Sequence, residues 1–424
     1  MRVSLWSQTL MAGSCLAQGN LVDLLQSQND LSTLLELVAI LPGLAETLSS
    51  STNITILAPT NEAFAKIPRD IPEGQAVELR NDTIAVSALL ANHVFKGVYP
   101  SSLITDIPIF GQTLLNGSYI SAQQPFSNFT GGAYNELVKN GNDVCIISGE
   151  QTISTVVKAD IKLGEGIIIH VIDEVLSFGA PFQLFTARAG YTTFNSALEA
   201  ANLGFSFGET EEGAGLNISD FTVFVPTNEA FEPIGSVVAG ADQETLQSVL
   251  KYHFIPNNVI FSPNLGNVTV QSFQGENLTF TVLPDASIWV NNARIVFPNT
   301  ILFNGVAHVI DAVLGPGPFD RASLTPAAPA SQRLAFPGAS SVPTLPFTST
   351  AAFGDDEMKF TTTPVLLQTV AAIAVPTANA SPISGGTVSA SMTGSPAATV
   401  TGAGSVVSPG SAVALLAVVF AGLL

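Results

Sequence analysis

Basic residues, cysteines and long apolar runs are all scarce in this sequence. Its 424 residues include 14 Lys and Arg against 33 Asp and Glu, which gives a formal net charge of −19. This balance argues against nucleic acid as a partner, because neutralising phosphates takes clustered Lys and Arg. Hydrophobic residues make up 46% of the chain, yet no internal stretch supplies the roughly 20 consecutive apolar residues of a spanning helix. The composition therefore argues against a polytopic membrane protein.

Only two cysteines are present, Cys15 and Cys145. Residues 1–17 have the pattern of a secretory signal peptide, because Arg2 precedes an apolar stretch that ends in small residues at Ala17. Removal of this segment leaves Cys145 alone, and a lone cysteine cannot form an intramolecular disulfide. We therefore expect no disulfide scaffold, and we interpret Cys145 as a small buried apolar residue rather than a reactive thiol.

The composition changes toward the C-terminus. Residues 317–404 are rich in Pro, Ser, Thr and Ala. Such a segment buries too little apolar surface to offset chain entropy, so we expect a disordered, O-glycosylated stalk. Residues 405–424 run into an uncharged apolar tail, and small residues around Gly402 precede them. This arrangement predicts a glycosylphosphatidylinositol (GPI) signal, with attachment at Gly402 and removal of the tail. The alternative is a short tail anchor or a frayed terminus.

A twofold internal repeat fills the region between these two ends. The hexapeptide PTNEAF at residues 59–64 recurs unchanged at residues 226–231. Near the end of each copy, residues 170–176 match residues 308–314 with one difference. Further matches lie before and between these anchors, in the same order in both copies. The repeat predicts two copies of one domain.

We place the first domain at residues 18–178 and the second domain at residues 179–316. Apolar residues with helical spacing open each copy, and β-rich stretches close it. This order predicts an α+β fold in which the last strand returns to the core. The first domain is longer between its anchors and contains the Gly-, Asn- and Ser-rich residues 116–142, which we interpret as a surface loop.

All four histidines lie on repeat anchors, His93 and His170 in the first domain and His253 and His308 in the second. Histidine pairs at matching places suggest a metal site or an acid/base site. However, no cysteine or third histidine accompanies either pair, and we expect neither a metal nor a cofactor. The favoured interpretation is that the four rings are buried and hydrogen-bond to backbone or neighbouring side chains.

The repeated hexapeptide has a structural explanation. A strand runs into its proline, and Thr60 or Thr227 then caps a short helix. Glu62 or Glu229 places a negative charge at the N-terminus of that helix. A catalytic role for these glutamates would need a second carboxylate nearby, and no such partner recurs, so we favour capping. The aromatic residues that end the two hexapeptides, both expected in the core, are Phe64 and Phe231.

The repeated motifs resemble those of the fasciclin domain family. Residues 58–64 and 225–231 are similar to its first signature segment. Residues 170–176 and 304–314 are similar to its second. The resemblance covers residues 20–314 and implies two tandem fasciclin domains, each a compact β-sandwich or wedge with packed helices. The whole layout is similar to that of fungal GPI-anchored proteins with tandem fasciclin domains.

Members of that family carry a Tyr-His pair between the two signatures. Tyr252 and His253 match this pair in the second domain, whereas the first domain has Asn92 before its histidine. The resemblance therefore implies a contact that depends on the Tyr-His pair for the second domain. It does not imply this contact for the first domain. The candidate interaction residues of the two fasciclin motifs are Tyr252, His253, His170, Asp173, His308 and Asp311.

The resemblance also implies cell adhesion or matrix interaction without enzymatic turnover. We therefore expect partners among cell-surface, extracellular-matrix or cell-wall proteins and glycans, and membrane contact through a lipid anchor. The expected location is the outer face of the plasma membrane or the cell wall, with the vacuole or endomembranes as the alternative. The alternative function is a wall-associated carbohydrate-active hydrolase that uses the recurring His and Glu residues. A third hypothesis, binding of an apolar ligand, rests on the 26 Phe residues, many of which fit core patterns better.

Potential N-glycosylation sites are dense in this chain. Seven N-x-Ser/Thr sequons lie in the two domains, and an eighth, at Asn379, lies in the expected stalk. Together with both targeting ends, these sequons predict a secreted, glycosylated surface protein. The seven domain sequons are at Asn53, Asn81, Asn116, Asn128, Asn217, Asn267 and Asn277.

Overall fold

The computed structural model describes residues 20–69, 71–116, 127, 129–203, 220–317, 319–324 and 336–346. The expected signal peptide, most of the expected stalk, the GPI site at Gly402 and the sequons at Asn128 and Asn217 lie outside these residues. Within the described part of the chain, no single helix is long and apolar enough to cross a membrane. The segments Asn29–Ala39 and Leu44–Ser50 meet that criterion only jointly, as a pair bent by 110°.

The first domain is built on one seven-stranded mixed sheet with helices packed against it. Its helices are α1 (Leu21–Gln26), α2 (Ser32–Ala39), α3 (Leu44–Ser50), α4 (Asn61–Lys66), α5 (Pro72–Glu78) and α6 (Thr83–Asn92). Its strands are β1 (Ile54–Pro59), β2 (Val94–Lys96), β3 (Ile109–Gln112), β4 (Tyr134–Asn140), β5 (Asp143–Ile147), β6 (Ile153–Leu163) and β7 (Ile167–Ile172). The strand order is β2-β1-β7-β6-β5-β4-β3, with β1 and β7 parallel and the other neighbours antiparallel.

The second domain repeats this plan. Its helices are α7 (Phe182–Arg188), α8 (Thr192–Ala200), α9 (Asn228–Phe231), α10 (Gly235–Gly240) and α11 (Gln243–Lys251). Its strands are β8 (Phe221–Pro226), β9 (Phe254–Ile255), β10 (Thr269–Gln271), β11 (Asn277–Val282), β12 (Ile288–Val290), β13 (Ala293–Ile301) and β14 (Gly305–Ile310). The order β10-β11-β12-β13-β14-β8-β9, with β8 and β14 parallel, matches the first domain strand for strand. The prediction of two copies of an α+β domain is confirmed.

The parallel pair inside each sheet explains why the sequence there is almost continuously apolar. Every residue of β1, β7, β8 and β14 is buried, as expected for parallel strands that are covered on both faces. Leucines from α1, α2 and α3 cover the sheet of the first domain, whereas phenylalanines dominate the equivalent cluster of the second. The strands of the repeated motifs are therefore wholly buried in each domain.

The interpretation of residues 116–142 as a surface loop is wrong for part of that stretch. Residues 134–140 form β4, which pairs with β3 on one side and β5 on the other. Leu137 lies in the apolar cluster that includes Phe95 and Ile146 on one face of the sheet. Tyr134 belongs to the larger cluster on the opposite face. Glu136 shares the face of Tyr134, because side chains alternate along a strand. A Gly- and Asn-rich composition conceals this alternation.

That opposite face is in contact with the second domain. Phe110 of β3 stacks on Phe261 with ring centroids 3.8 Å apart, and Tyr134 meets Phe261 edge-on at 5.1 Å. Beside them, Thr130 donates from its main-chain N–H and its hydroxyl to the carboxylate of Asp220. Second-domain residues that belong to the apolar cluster of the first domain are Val259, Phe261, Ile301 and Val306. The two domains are therefore joined through a mainly apolar surface.

Two segments beyond residue 317 pack against the second domain, where the sequence predicts stalk. Arg321 donates from Nε to Thr281 Oγ1 at 2.9 Å and from Nη2 to the carbonyl of Phe280 at 2.8 Å. Further along, Ser340 and Ser236 are joined by two hydrogen bonds of 2.8 and 2.9 Å. Apolar contacts to the second-domain cluster come from Phe336, Ala339 and Leu345. Scattered apolar side chains thus extend the folded unit into a Pro- and Ser-rich sequence.

We expect a chain that ends after Gly317 to be less stable in its second domain than a chain that ends after residue 346. Loss of the Arg321 hydrogen bonds and of the apolar contacts of Phe336 and Leu345 should lower the free energy of unfolding by about 2 kcal/mol. That loss corresponds to a fall of roughly 5 °C in melting temperature, which differential scanning calorimetry would measure. Equal melting temperatures for the two chains would show that these segments add no stability.

Candidate functional site

The four histidines form two kinds of buried network, each present once per domain. His93 follows α6 and His253 lies just after α11, whereas His170 is on β7 and His308 is on β14. The exposed fraction of these residues is 3% for His93 and 0% for the other three. The structure agrees with the favoured interpretation that the rings are buried.

The helix-end histidines connect a helix to the chain that follows the closing strand. His93 Nδ1 lies 2.8 Å from the carbonyl oxygen of Leu89, and the N–H of Leu176 donates to His93 Nε2 at 3.0 Å. Because a carbonyl only accepts and a main-chain N–H only donates, Nδ1 carries the proton and the ring is neutral. In the second domain, His253 has the same two partners, Val249 O at 2.9 Å and Leu314 N at 3.0 Å.

The strand histidines hold an irregular turn of the neighbouring strand. His308 Nε2 lies 2.8 Å from the carbonyl of Ile260, and the N–H of Asn299 donates to His308 Nδ1 at 3.2 Å. Asn299 lies at a register shift of β13 with a left-handed φ of 65°. Its side chain in turn accepts from the N–H of Ser262 at 2.8 Å and donates to the Ser262 hydroxyl at 2.7 Å. The equivalent residues of the first domain are His170, Tyr99, Asp160 and Ser101.

Burial keeps the rings of His93, His253 and His308 uncharged. Desolvation lowers the pKa of His93, His253 and His308 to about 4, because removing water penalises the charged imidazolium. For Asp160, burial acts to raise the pKa, but the hydrogen bonds from Ser101 outweigh it and hold the pKa below its ordinary value. A ring with both nitrogens bonded to main chain has no free lone pair for a substrate proton. The chemistry of these networks is therefore to fasten elements together.

Tyr252 and Asn92 occupy the same repeat position with different partners. The Tyr252 hydroxyl donates to the carbonyl of Asn277 at 2.6 Å and accepts from Asn291 Nδ2 at 2.8 Å. In the first domain, Asn92 Nδ2 instead donates to the carbonyl of Ser177 at 3.2 Å. Tyr252 is only 2% exposed, so its ring packs inside the second domain. The departure from the Tyr-His pair changes local bonding and leaves the histidine network of the first domain intact.

Asp173 and Asp311 extend their sheets with a side chain. Each follows the closing strand of its domain and accepts a main-chain N–H, from Thr155 to Asp173 Oδ1 at 2.6 Å and from Arg294 to Asp311 Oδ1 at 2.8 Å. Burial raises the pKa of Asp311, although the Arg294 hydrogen bond opposes it. Each of the six candidate interaction residues therefore bonds within its own domain. A contact role for the surface around them stays a prediction.

The threonine of the hexapeptide makes a side-chain capping hydrogen bond in only one of the two copies. Thr60 Oγ1 accepts the N–H of Ala63 at 3.1 Å at the start of α4. Thr227 holds the same position before the four-residue α9, but its side chain makes no capping hydrogen bond. Glu62 is 79% exposed and lies 3.5 Å from Lys66 Nζ, on the outer surface of α4. The predicted cap is confirmed for Thr60 and wrong for the side chain of Thr227.

Sequence reasoning misses the role of the asparagine in the hexapeptide. Asn61 Oδ1 accepts the N–H of Thr33 at 2.8 Å, and Asn228 Oδ1 accepts the N–H of Thr193 at 3.1 Å. Each asparagine thereby ties the short helix to the first turn of α2 or α8. The unchanged recurrence of the asparagine in both copies is the signal that points to this role.

Neither a metal centre nor a reactive thiol is formed by the residues the structure describes. Within those ranges, no group of three or more His, Cys, Asp or Glu side chains is placed to hold a metal ion. Cys145 is buried and not in a disulfide. Burial raises the pKa of its thiol, and the nearby carboxylates of Asp143 and Asp173 act in the same direction. The protonated thiol is a poor nucleophile, which agrees with its interpretation as a small buried residue.

Five of the domain sequons lie in described residues. Asn81, Asn267 and Asn277 are exposed, and Asn53 and Asn116 are half-buried. Asn267 Oδ1 accepts hydrogen bonds from the N–H of Val282 at 3.1 Å and from Arg321 Nη2 at 2.9 Å. Both bonds go to the oxygen, so they fix the side chain and leave Nδ2, the atom that would carry a glycan, outside them.

Comparison with known proteins identifies relatives of both domains. A fasciclin-like arabinogalactan protein of Arthroderma benhamiae is 29% identical over 65% of this chain and 61% of that relative. The match thus spans less than two thirds of the relative's own length. The cell surface glycolipoprotein MPB83 of Mycobacterium bovis is 36% identical over 24% of this chain and 46% of that protein.

A solved structure gives a further similarity. A FAS1 domain pair from the insect cell adhesion molecule fasciclin I covers 68% of this chain and 97% of that chain, at 20% identity and with a TM-score of 0.30. The fasciclin domain family itself matches residues 29–178 and again residues 189–316. Because these two matches cover more than half of the sequence, the chain belongs to the fasciclin domain family.

Proposed function

We propose that this chain is a cell-surface adhesion protein that presents two fasciclin domains to cell-wall or matrix partners and acts by contact rather than by turnover. The observation that carries the proposal is that both ring nitrogens of every histidine are bonded to main-chain atoms. The most reactive residue type that recurs between the copies is thus used to hold each domain together. The surface is left for binding.

The hydrolase alternative requires a pair of carboxylates, or a nucleophile with a base, around one cleft. Glu62 is 79% exposed and pairs with Lys66 on the surface, whereas His93 is buried at 3% exposure. The recurring glutamate and histidine therefore occupy different environments. This difference favours adhesion over hydrolysis.

The contact between the domains supports a binding role for the pair as a unit. Phe110 and Phe261 stack across the contact, so the surfaces of both domains are presented together. Two weak contacts on linked domains reinforce each other, because the second binding event becomes intramolecular. We infer that partners are repetitive surfaces, such as wall glycans or matrix proteins.

Display outside the cell rests on sequence features. The signal peptide at residues 1–17, the sequons and the GPI signal at Gly402 all favour secretion followed by lipid anchoring. The relative named a cell surface glycolipoprotein supports the same location. In the proposed layout, the domains at residues 18–178 and 179–316 are held away from the membrane by the stalk up to residue 404.

Location and binding are tested separately. Treating intact cells with a phosphatidylinositol-specific phospholipase should release the protein into the medium. Absence of both a released pool and a wall-linked pool would contradict the anchor and favour the vacuole or endomembranes. Purified full-length protein should sediment with isolated cell-wall fragments, and sedimentation no greater than that of serum albumin would contradict binding to walls.

We expect Asn267 to carry an N-glycan in the secreted protein, because its amide nitrogen lies outside the bonds that fix the side chain. Thr269→Ala removes the sequon but keeps the Asn267 acceptor, so it should remove one glycan and cost less than about 0.5 kcal/mol. Asn267→Ala also removes the acceptor of Arg321 and Val282 and should cost about 1 kcal/mol more. Glycopeptide mass spectrometry and urea unfolding measure the two effects. An unmodified Asn267, or equal stability of both variants, would contradict this expectation.

A further inference from the structure

A groove of about 420 Å³ lies beside α11 in the second domain. One face of α11 forms one wall, and the chain beyond β14 together with the packed segment at residues 336–346 forms the other. The lining residues are Glu244, Thr245, Ser248, Val249, Pro316 and Phe336.

In the first domain, core residues occupy the positions equivalent to those that line this groove. Counting back from the helix-end histidines, the positions that match the α11 wall are Ile84, Ala85, Ala88 and Leu89. The last three of these are buried in the apolar cluster of the first domain. Phe178, which follows its strand histidine at the same distance as Pro316 does, is 7% exposed and belongs to that cluster. Core residues of the first domain therefore occupy the positions that line the groove in the second domain.

The residues that line the groove differ in polarity from their equivalents in the first domain. Three apolar or small residues of α6 become Glu244, Thr245 and Ser248, and the large Phe178 becomes Pro316. Glu244 and Thr245 are exposed. Ser248 Oγ accepts a hydrogen bond from Gln274 Nε2 at 3.3 Å, which leaves its hydroxyl hydrogen free to donate. Polar groups of α11 thus line one wall of the groove, at positions where the first domain has small or apolar residues.

The remaining lining residues are apolar and include an aromatic ring: Val249 on α11, and Pro316 and Phe336 in the chain beyond β14. Among the lining residues that the structure describes there is no Lys, Arg or His, and the chain carries a net charge of −19. Anionic ligands such as phosphates or acidic sugars are therefore disfavoured. A neutral ligand with hydroxyls on one edge and C–H groups on one face matches both kinds of lining residue.

We propose that this groove binds a neutral saccharide unit of a larger glycan. The apolar face of the sugar ring packs on Phe336, and its hydroxyls hydrogen-bond to Glu244, Thr245 and Ser248. This inference rests on the proposed adhesion function, because it names the ligand class and the place where a wall glycan is held. A single such site is weak, which agrees with a protein that relies on many anchored copies.

Titration calorimetry on the full-length protein tests the proposal with three neutral hexasaccharides, built from glucose, N-acetylglucosamine and mannose. At least one should bind with a Kd below about 1 mM. Thr245→Val, which keeps the shape and removes the hydroxyl, should weaken binding about 5-fold, and Phe336→Ala should weaken it about 10-fold or more. The matched control is Phe273→Ala, a 37% exposed phenylalanine of the same domain, which should leave binding unchanged.

Three results would overturn the proposal: no binding of any hexasaccharide at about 10 mM, equal weakening by Phe273→Ala, or tighter binding of a proline-rich peptide than of every saccharide. Because Phe336→Ala could release the packed segment, Thr245→Val decides the case if the melting temperature of the Phe336 variant falls. The proposed function is separable from this site. Adhesion that persists in Thr245→Val when no saccharide binds contradicts the site alone, and saccharide binding without any adhesion contradicts the function.

Discussion

Replacing His308 with phenylalanine is expected to lower the free energy of unfolding of the second domain by about 4 kcal/mol. Phenylalanine retains the ring that stacks on Phe224, at a centroid distance of 5.7 Å, but it has no hydrogen-bonding nitrogen. The carbonyl of Ile260 and the N–H of Asn299 then remain buried without a partner. Each such group costs about 1–3 kcal/mol. The bond to Asn299 also holds the left-handed turn of β13, so its loss acts on the sheet itself.

Tryptophan fluorescence during urea titration measures this effect in the correct domain. Trp289 lies buried in β12 and is the only tryptophan besides Trp6, so its emission reports on the second domain. His308→Gln keeps a donor for the Ile260 carbonyl and should recover about half of the loss. Glu229→Gln, on the exposed surface of α9, should stay within about 0.5 kcal/mol of the unaltered protein. A loss below about 1 kcal/mol for His308→Phe would contradict the role assigned to the network.

Acidification is expected to destabilise both domains strongly between about pH 6.5 and pH 4. The pKa of His93, His253 and His308 is about 4 in the folded protein, against 6.5 as the ordinary value. A group with a depressed pKa contributes stability that is present above its unfolded value and is lost as the pH falls through its folded value. For each histidine, the difference between the folded and unfolded pKa corresponds to about 3 kcal/mol in the free energy of unfolding. Urea titrations at about pH 7, 5.5 and 4.5 should show falling midpoints, and a constant or rising midpoint would contradict this account.

Glu136 has the opposite effect on the pH dependence of stability. Its cross-strand neighbours are Phe110 and Ile147, and burial raises its pKa from 4.5 to about 7. A group with a raised pKa contributes stability that is fully present below its unfolded value and is lost as the pH rises through its folded value. Glu136→Gln should therefore stabilise the first domain by about 3 kcal/mol above pH 7 and have little effect near pH 4. Circular dichroism during urea titration measures this difference, and an unchanged pH profile would contradict it.

The elements that sequence predicts best are those whose local pattern and tertiary role agree. Residues 54–58 and 221–225 are apolar except for Thr55 and Thr222, and they form most of β1 and β8, each of which pairs in parallel with the closing strand of its domain. The histidines could be assigned to the interior because no ligand-type companions recur beside them. By contrast, the two copies of one hexapeptide differ in capping, since Thr60 makes the bond and Thr227 does not. Identical local sequence does not impose identical geometry when the helix that follows differs in length.

The remaining features depend on contacts between distant parts of the chain. Strand β4 is hidden in sequence because Asn135 and Asn140 have low strand propensity, and only pairing with β3 and β5 makes it a strand. Phe110 and Phe261 belong to apolar patterns typical of any core, so nothing local marks them as the join between two domains. The groove is equally invisible from sequence, because its two walls come from α11 and from a segment expected to be stalk.

Single-cell force spectroscopy tests the central claim, that the two domains act by surface contact, most directly. Cells that display the full chain are compared with cells that display the same signal, stalk and anchor without residues 20–346, at equal surface levels. Cells with the full chain should show clearly more frequent adhesion events on wall or matrix surfaces. Adhesion should be unchanged in Glu62→Gln, which removes the exposed carboxylate that the hydrolase alternative needs. Equal adhesion with and without the two domains would contradict the account.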